Sequence, residues 1–168
     1  MASRQFFDPV VLLRITPLIT ASTTLSYCWA QNVFISIFTR ERNREKSNSL
    51  LPTHVEDWFY GYTGQLIATY TATALTAGAN FYHEYRSIAA SDSARWYAAG
   101  AILSVAHFAF VPAVAWKFAA IINHETKGNS VKVLDEWLKV HRIRSLTVDV
   151  LSWGCFLVAV LNQESLKA

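Results

Sequence analysis

Apolar residues gather along this chain in four runs, residues 15–38, 58–82, 96–116 and, more weakly, 145–161, separated by polar segments. The first three contain no Asp, Glu, Lys or Arg, and each reaches the about 20 residues a helix needs to cross a hydrocarbon layer of roughly 30 Å. The fourth carries Asp149. None of the runs shows the period-two alternation of a membrane strand, and backbone groups in lipid must be bonded internally, so helices are the expected spanning element. The pattern predicts an all-α fold: one integral-membrane four-helix bundle over residues 1–168, with spans at about 12–38, 60–83, 96–122 and 143–162.

Local features refine this picture. Gly64, Ala68, Ala72 and Thr76 recur every four residues and predict a ridge of small side chains for close packing in the second span. Pro112 cannot donate to the carbonyl of Phe108, which predicts a kink beside His107, and Pro17 acts similarly early in the first span. Trp58, Phe59, Tyr60 and Tyr62 open the second span and Trp96 and Tyr97 the third, where aromatic residues anchor helices at the interface. Residues 39–57 and 123–144 read as loops, the first containing the charged run Arg40–Lys46.

Composition agrees: 52% hydrophobic residues, 16% charged and a mean hydropathy of +0.21 are too apolar for a soluble domain of 168 residues. A pI of about 9.0 and a net charge of +3 raise the question of nucleic acid. The basic residues sit in short segments beside apolar runs, where they orient helices, so no nucleic-acid partner is expected. Both loops are rich in Lys and Arg, whereas the opposite side holds Arg4, Arg86, Arg95 and Lys167. The positive-inside rule then places the loops in the cytosol and both termini in the lumen of an endoplasmic-reticulum-type membrane. Cys28 and Cys155 fall inside spans and read as small core hydrophobes. No HxxxH or HExxH pair occurs, so no metal site is expected, and His83 and His107 lie at depths too different for a shared haem.

Depth, at about 1.5 Å of rise per residue, singles out candidate chemistry. Lys117 and Asp149 each fall roughly 8–10 Å inside the cytosolic boundary, at the level of Gln31, Asn32 and Gln65, so every span contributes a polar group to one layer. Buried charges in lipid face inward and find partners, which makes this layer a candidate site, with an ion pair that fixes helix register as the plainer alternative. Trp137, His141 and Arg144 follow at i, i+4 and i+7 and share one helix face next to Asp149. Arg144 is a permanent cation able to hold an enolate, and His141 titrates near neutrality and can move a proton. His107 lies near the midplane, where an imidazole needs a hydrogen-bond partner.

The segment Leu134-Asp-Glu-Trp137, followed by Lys139-Val-His141-Arg-Ile-Arg144, resembles the W-x3-[N/H]-x2-R signature near the last span of the fungal anthrone oxygenase-like membrane proteins. The entry Trp58-Phe-Tyr-Gly-Tyr-Thr-Gly64 and the third span with Pro112 are similar as well, so the resemblance covers most of the chain. It implies a small membrane enzyme of polyketide tailoring that converts an anthrone-like phenolic substrate to a quinone with dioxygen and no cofactor. By this resemblance Arg144 clamps the enolate, His141 is the general base with His107 as the alternative base, and Asp149 orients the cation or base. Trp137 forms an aromatic wall, and Gln65, Lys117, Gln31 and Asn32 complete the substrate site. The expected partners are the bilayer, an apolar aromatic small molecule and dioxygen, with a homo-oligomer left open. The rival from another class is a non-catalytic four-span scaffold or lipid-binding protein.

Overall fold

The computed structural model describes residues 8–87 and 93–164. Its elements are all helical: α1 (Pro9–Ser36), a 3-10 turn (Glu41–Asn43), α2 (Arg44–Ser87), α3 (Ser93–Ala106), a second 3-10 turn (His107–Phe110), α4 (Val111–Ile122), α5 (Ser130–Arg144), one π turn (Ser145–Asp149) and α6 (Val150–Glu164). α3 and α4 form one rod through the second 3-10 turn and α5 and α6 another through the π turn, so the chain builds the all-α bundle of four rods that its apolar pattern predicts. α1 and α3 each pack against both α2 and α6, which closes the four rods into a ring, and α4 packs against α2 and α5. Arg4 and Lys167, part of the orientation argument, lie outside the described residues, as does the side chain of Arg86.

Two expectations are corrected. Residues 39–57 are not a loop, because helix resumes at Arg44 and α2 runs for 44 residues. Residues 123–144 are not a loop either, since α5 occupies most of them and continues into α6. Both segments are amphipathic rather than apolar, and they bury Leu51, Val55, Leu134 and Leu138 against one another while most of their charges, Arg144 excepted, stay outside.

The helix ends and breaks have local causes. Asp8 caps α1 by accepting the backbone N–H of Val10 at 2.8 Å, with Pro9 in the first turn. Pro17 leaves the carbonyl of Leu13 without its usual partner, and the side-chain amide of Asn80 on α2 donates to that carbonyl at 2.6 Å, so the missing bond becomes a bridge between helices. Beside Pro112 the helical ladder changes. The rod tightens into a 3-10 turn at His107–Phe110, and the N–H of Val111 takes up the carbonyl of Phe108. In the π turn the N–H of Val150 reaches back five residues to Ser145.

Two apolar clusters hold the bundle. One, toward the α4–α5 end, includes Leu51, Val55, Phe118, Ile121, Trp137 and Leu138. The other, toward the chain termini, includes Ala21, Ala77, Tyr97, Phe156 and Ala159. The small-residue ridge is not where α2 packs: Gly64 and Ala68 are exposed, and the buried stripe is Tyr70, Thr73, Ala77 and Asn80. Close packing occurs instead at Gly100, where an added Cβ would overlap the ring of Phe156.

Three rods are long and apolar enough to cross a membrane: Pro9–Ser36, Ser93–Ile122 and Ser130–Asn162, with mean hydropathies of 1.3, 1.8 and 1.6. α2 is not among them, because Thr, Tyr, Gly and Gln interrupt its apolar stretch. Large apolar side chains such as Trp29 (70% exposed), Ile102 and Leu146 (71%) point outward, as lipid-facing positions do.

Candidate functional site

Each rod carries buried polar or titratable side chains between the two apolar clusters. α1 supplies Cys28, α2 supplies Tyr70, the turn after α3 supplies His107, α5 supplies His141 and Arg144, and the π turn supplies Asp149. These six side chains converge. Asp149 is the hub: its Oδ1 accepts from His107 Nδ1 at 3.0 Å and from the Tyr70 hydroxyl at 3.1 Å. Its Oδ2 lies 3.6 Å from the Cys28 thiol and 3.4 Å from Arg144 Nε. That last contact is ionic and poorly aligned, and Arg144 Nε is a buried donor with no hydrogen-bond partner among the described residues.

The pattern of donors fixes the states of the two histidines. An arginine only donates, so His141 Nδ1 must accept from Arg144 Nη2 at 2.9 Å, and His141 Nε2 then donates to the carbonyl of Cys28 at 3.0 Å. His141 is therefore a neutral imidazole with both nitrogens engaged, stacked on Trp137 with centroids 4.7 Å apart and planes 17° apart. His107 differs. Its Nδ1 donates to the Asp149 carboxylate, which also lies against Arg144, and its Nε2 has no partner among the described residues, so its lone pair is available. The ring of Tyr70 covers one face of His107 with centroids 3.9 Å apart.

A cavity of about 350 Å³ lies against this cluster. His107 and Arg144 meet it from one side, Trp137 and Gln31 stand beside them, and Trp58, Phe59, Tyr62, Leu66, Phe108 and Val111 form an apolar wall. Such a space takes a flat apolar molecule and offers it one base, one cation and few competing polar groups.

The predicted residues thus divide. His107, Arg144, Asp149, Trp137 and His141 come together, and Gln31 joins them at the cavity. The expected meeting of Lys117 with Asp149 does not occur: Lys117 Nζ bonds Glu136 Oε2 at 2.8 Å, on the neighbouring α5. Asn32 accepts from Arg142 Nε at 2.7 Å, and Gln65 lies on an exposed face beside a different groove between α1 and α2. Equal depth places residues in one layer but says nothing about rotation around each helix axis, and that angle sends these three away from the cavity. Tyr70 and Cys28 carry no signal in the sequence beyond being buried-type residues in a span. Cys28 is more than a core hydrophobe, since its thiol lies between Asp149 and Arg144.

Fold and site together define a small helical protein, apolar enough in three rods to enter a membrane, built around a buried acid–base cluster. Its relatives are fungal. The chain is 27% identical over 151 residues to a protein of Mollisia scopiformis described as a probable epoxidase, scpX, covering 90% of this chain and 95% of that one. It is 25% identical over 154 residues to the epoxidase pydX of an Acremonium species, covering 92% and 95%. It is 29% identical over 164 residues to the oxaleimides biosynthesis cluster protein N of Penicillium oxalicum, covering 94% and 91%. No protein-family model and no solved structure matches the chain.

Proposed function

We propose that this chain is an oxygenase of fungal secondary metabolism, crossing an endoplasmic-reticulum-type membrane four times with both termini luminal, and oxidising an enolisable polyketide-type substrate of anthrone-like, phenolic character. The observation that carries the reading is that His107, whose Nε2 has no partner among the described residues, and Arg144 line one apolar cavity. The names of the fungal epoxidase relatives, similar over about nine-tenths of the chain, support an oxidative tailoring role.

In this reading the substrate enters the cavity with an oxygen toward Arg144. His107 Nε2 removes an acidic C–H proton, and Asp149 stabilises the imidazolium through Nδ1. Arg144 holds the enolate oxygen, and the electron-rich carbon gives its electrons to dioxygen. For an anthrone the balance is CH2 plus O2 giving C=O plus water, so the substrate itself supplies the electrons. His141 acts through Arg144, by anchoring the guanidinium to the Cys28 carbonyl, which moves the base role from His141 to His107.

The relatives' names favour a second outcome at the same site. A carbon-bound peroxide anion that adds to a neighbouring conjugated double bond closes an epoxide and leaves an alkoxide, placing both oxygen atoms in the product. Membranes carrying the protein, given a hydroxylated anthrone or an enolisable polyene under 18O2, separate the two routes, since quinone formation retains one label and the epoxide route two. Oxygen uptake no greater than in Arg144→Ala and His107→Ala membranes, with both variants folded, refutes the oxygenase reading and leaves the scaffold reading in its place.

A further inference from the structure

A second groove lies apart from the cavity that holds this chemistry. It lies between α1 and the α5–π–α6 rod, has a volume of about 700 Å³, and runs from Asn32 and Arg142 at one end to Ser22 and Trp153 at the other. Ten residues of α1 separate its ends, a length of about 15 Å, or one leaflet's share of a hydrocarbon layer roughly 30 Å thick. Trp29 and Leu146, about 70% exposed, form its outer lips and face the lipid side.

The two ends are unlike. At the far end Trp153 Nε1 donates to Ser22 Oγ at 2.9 Å across the groove. At the mouth Arg142 uses only Nε, on Asn32, and its two terminal nitrogens have no partner among the described residues. A slot one leaflet long, apolar within, bridged at the bottom and headed by a pre-positioned guanidinium complements an acyl chain beneath an anionic headgroup.

We propose that this groove is a binding site for one anionic phospholipid of the surrounding bilayer, its phosphate on Arg142 and one acyl chain along the slot. The inference rests on the membrane-spanning reading and is independent of the oxygenase reading, because no group of the 350 Å³ cavity is used. The lipid also has a structural task. The back wall of the groove includes His141 and Cys28, the two groups that hold Arg144, so the chain shields the rear of the buried cluster.

The test is native mass spectrometry of the full chain released from nanodiscs of phosphatidylcholine with phosphatidylglycerol. The wild type is expected to retain one phosphatidylglycerol. Arg142→Ala should retain it about fivefold less, the size of one cationic contact with an anionic headgroup. Ser26→Phe, which fills the slot and leaves the charge, should lose it as well. Arg42→Ala, in the 3-10 turn outside the groove, should match the wild type. Equal retention by wild type and Arg142→Ala, a loss in Arg42→Ala as large as in Arg142→Ala, or retention of phosphatidylcholine in place of phosphatidylglycerol would each overturn the proposal.

Discussion

Replacing Asp149 by Asn tests whether the buried cluster is organised as a charged hub. The change keeps the side chain's shape and removes its charge, leaving the Arg144 guanidinium, 3.4 Å away, without its counter-ion in a buried site. Removing one partner of a buried pair costs about 3–5 kcal/mol, because the remaining charge is uncompensated. The low end applies, since Arg144 Nε is poorly aligned on the carboxylate and an Asn oxygen can still accept from His107 or Tyr70. About 3 kcal/mol corresponds to a fall in Tm of roughly 6–12 °C for a chain of this size. Circular dichroism melts in detergent micelles read it directly. Exchanging both partners for apolar residues of similar volume, Asp149→Leu with Arg144→Met, should recover most of the loss, because neither charge is then left alone. A Tm for Asp149→Asn within about 2 °C of the wild type, or a double variant no more stable than the single, would refute the hub.

Other expectations follow from the same geometry. His107→Ala should lower kcat by about 10²–10⁴, the usual contribution of a positioned base, whereas His141→Gln should act mainly on KM by loosening Arg144; steady-state kinetics on reconstituted protein separates the two, and full activity in His107→Ala would return the base role to His141. Gly100→Ala should cost about 1–3 kcal/mol through overlap with the Phe156 ring, and its combination with Phe156→Leu should be less than additive, as measured by melting of the four members of the cycle.

The architecture was legible where apolar runs were long, and hidden where helices were amphipathic. Residues 44–57 and 130–144 carry enough charge to read as loops, yet Leu51, Val55, Leu134 and Leu138 recur on one face and dock the two segments together. At the site, Trp137, His141 and Arg144 were legible because α-helical spacing alone puts them on one face. The pairing of His107 with Asp149 was not, because 42 residues separate them and no local pattern encodes it. Lys117 was misassigned for the same reason that α5 was: its partner Glu136 sat in what read as a loop. Tyr70 stayed unnoticed because a Tyr among Thr and Ala resembles packing until its hydroxyl is seen on Asp149.

The π turn at Ser145–Asp149 has an evolutionary corollary. In an uninterrupted α-helix, residues five apart lie about 140° from one another around the axis, at about 100° per residue, so Arg144 and Asp149 would face different neighbours. Hydrogen bonds that run from i to i+5 bring them toward the same side. Such a turn is equivalent to a single inserted residue that the helix absorbs without breaking. Loss of one residue between Arg144 and Asp149 would restore a plain α-helix with the carboxylate four residues from the guanidinium, about 40° away around the axis and still on the same side. A lineage could therefore gain or lose this residue, the smallest indel a gene can carry in frame, and keep the ion pair in either form of the helix.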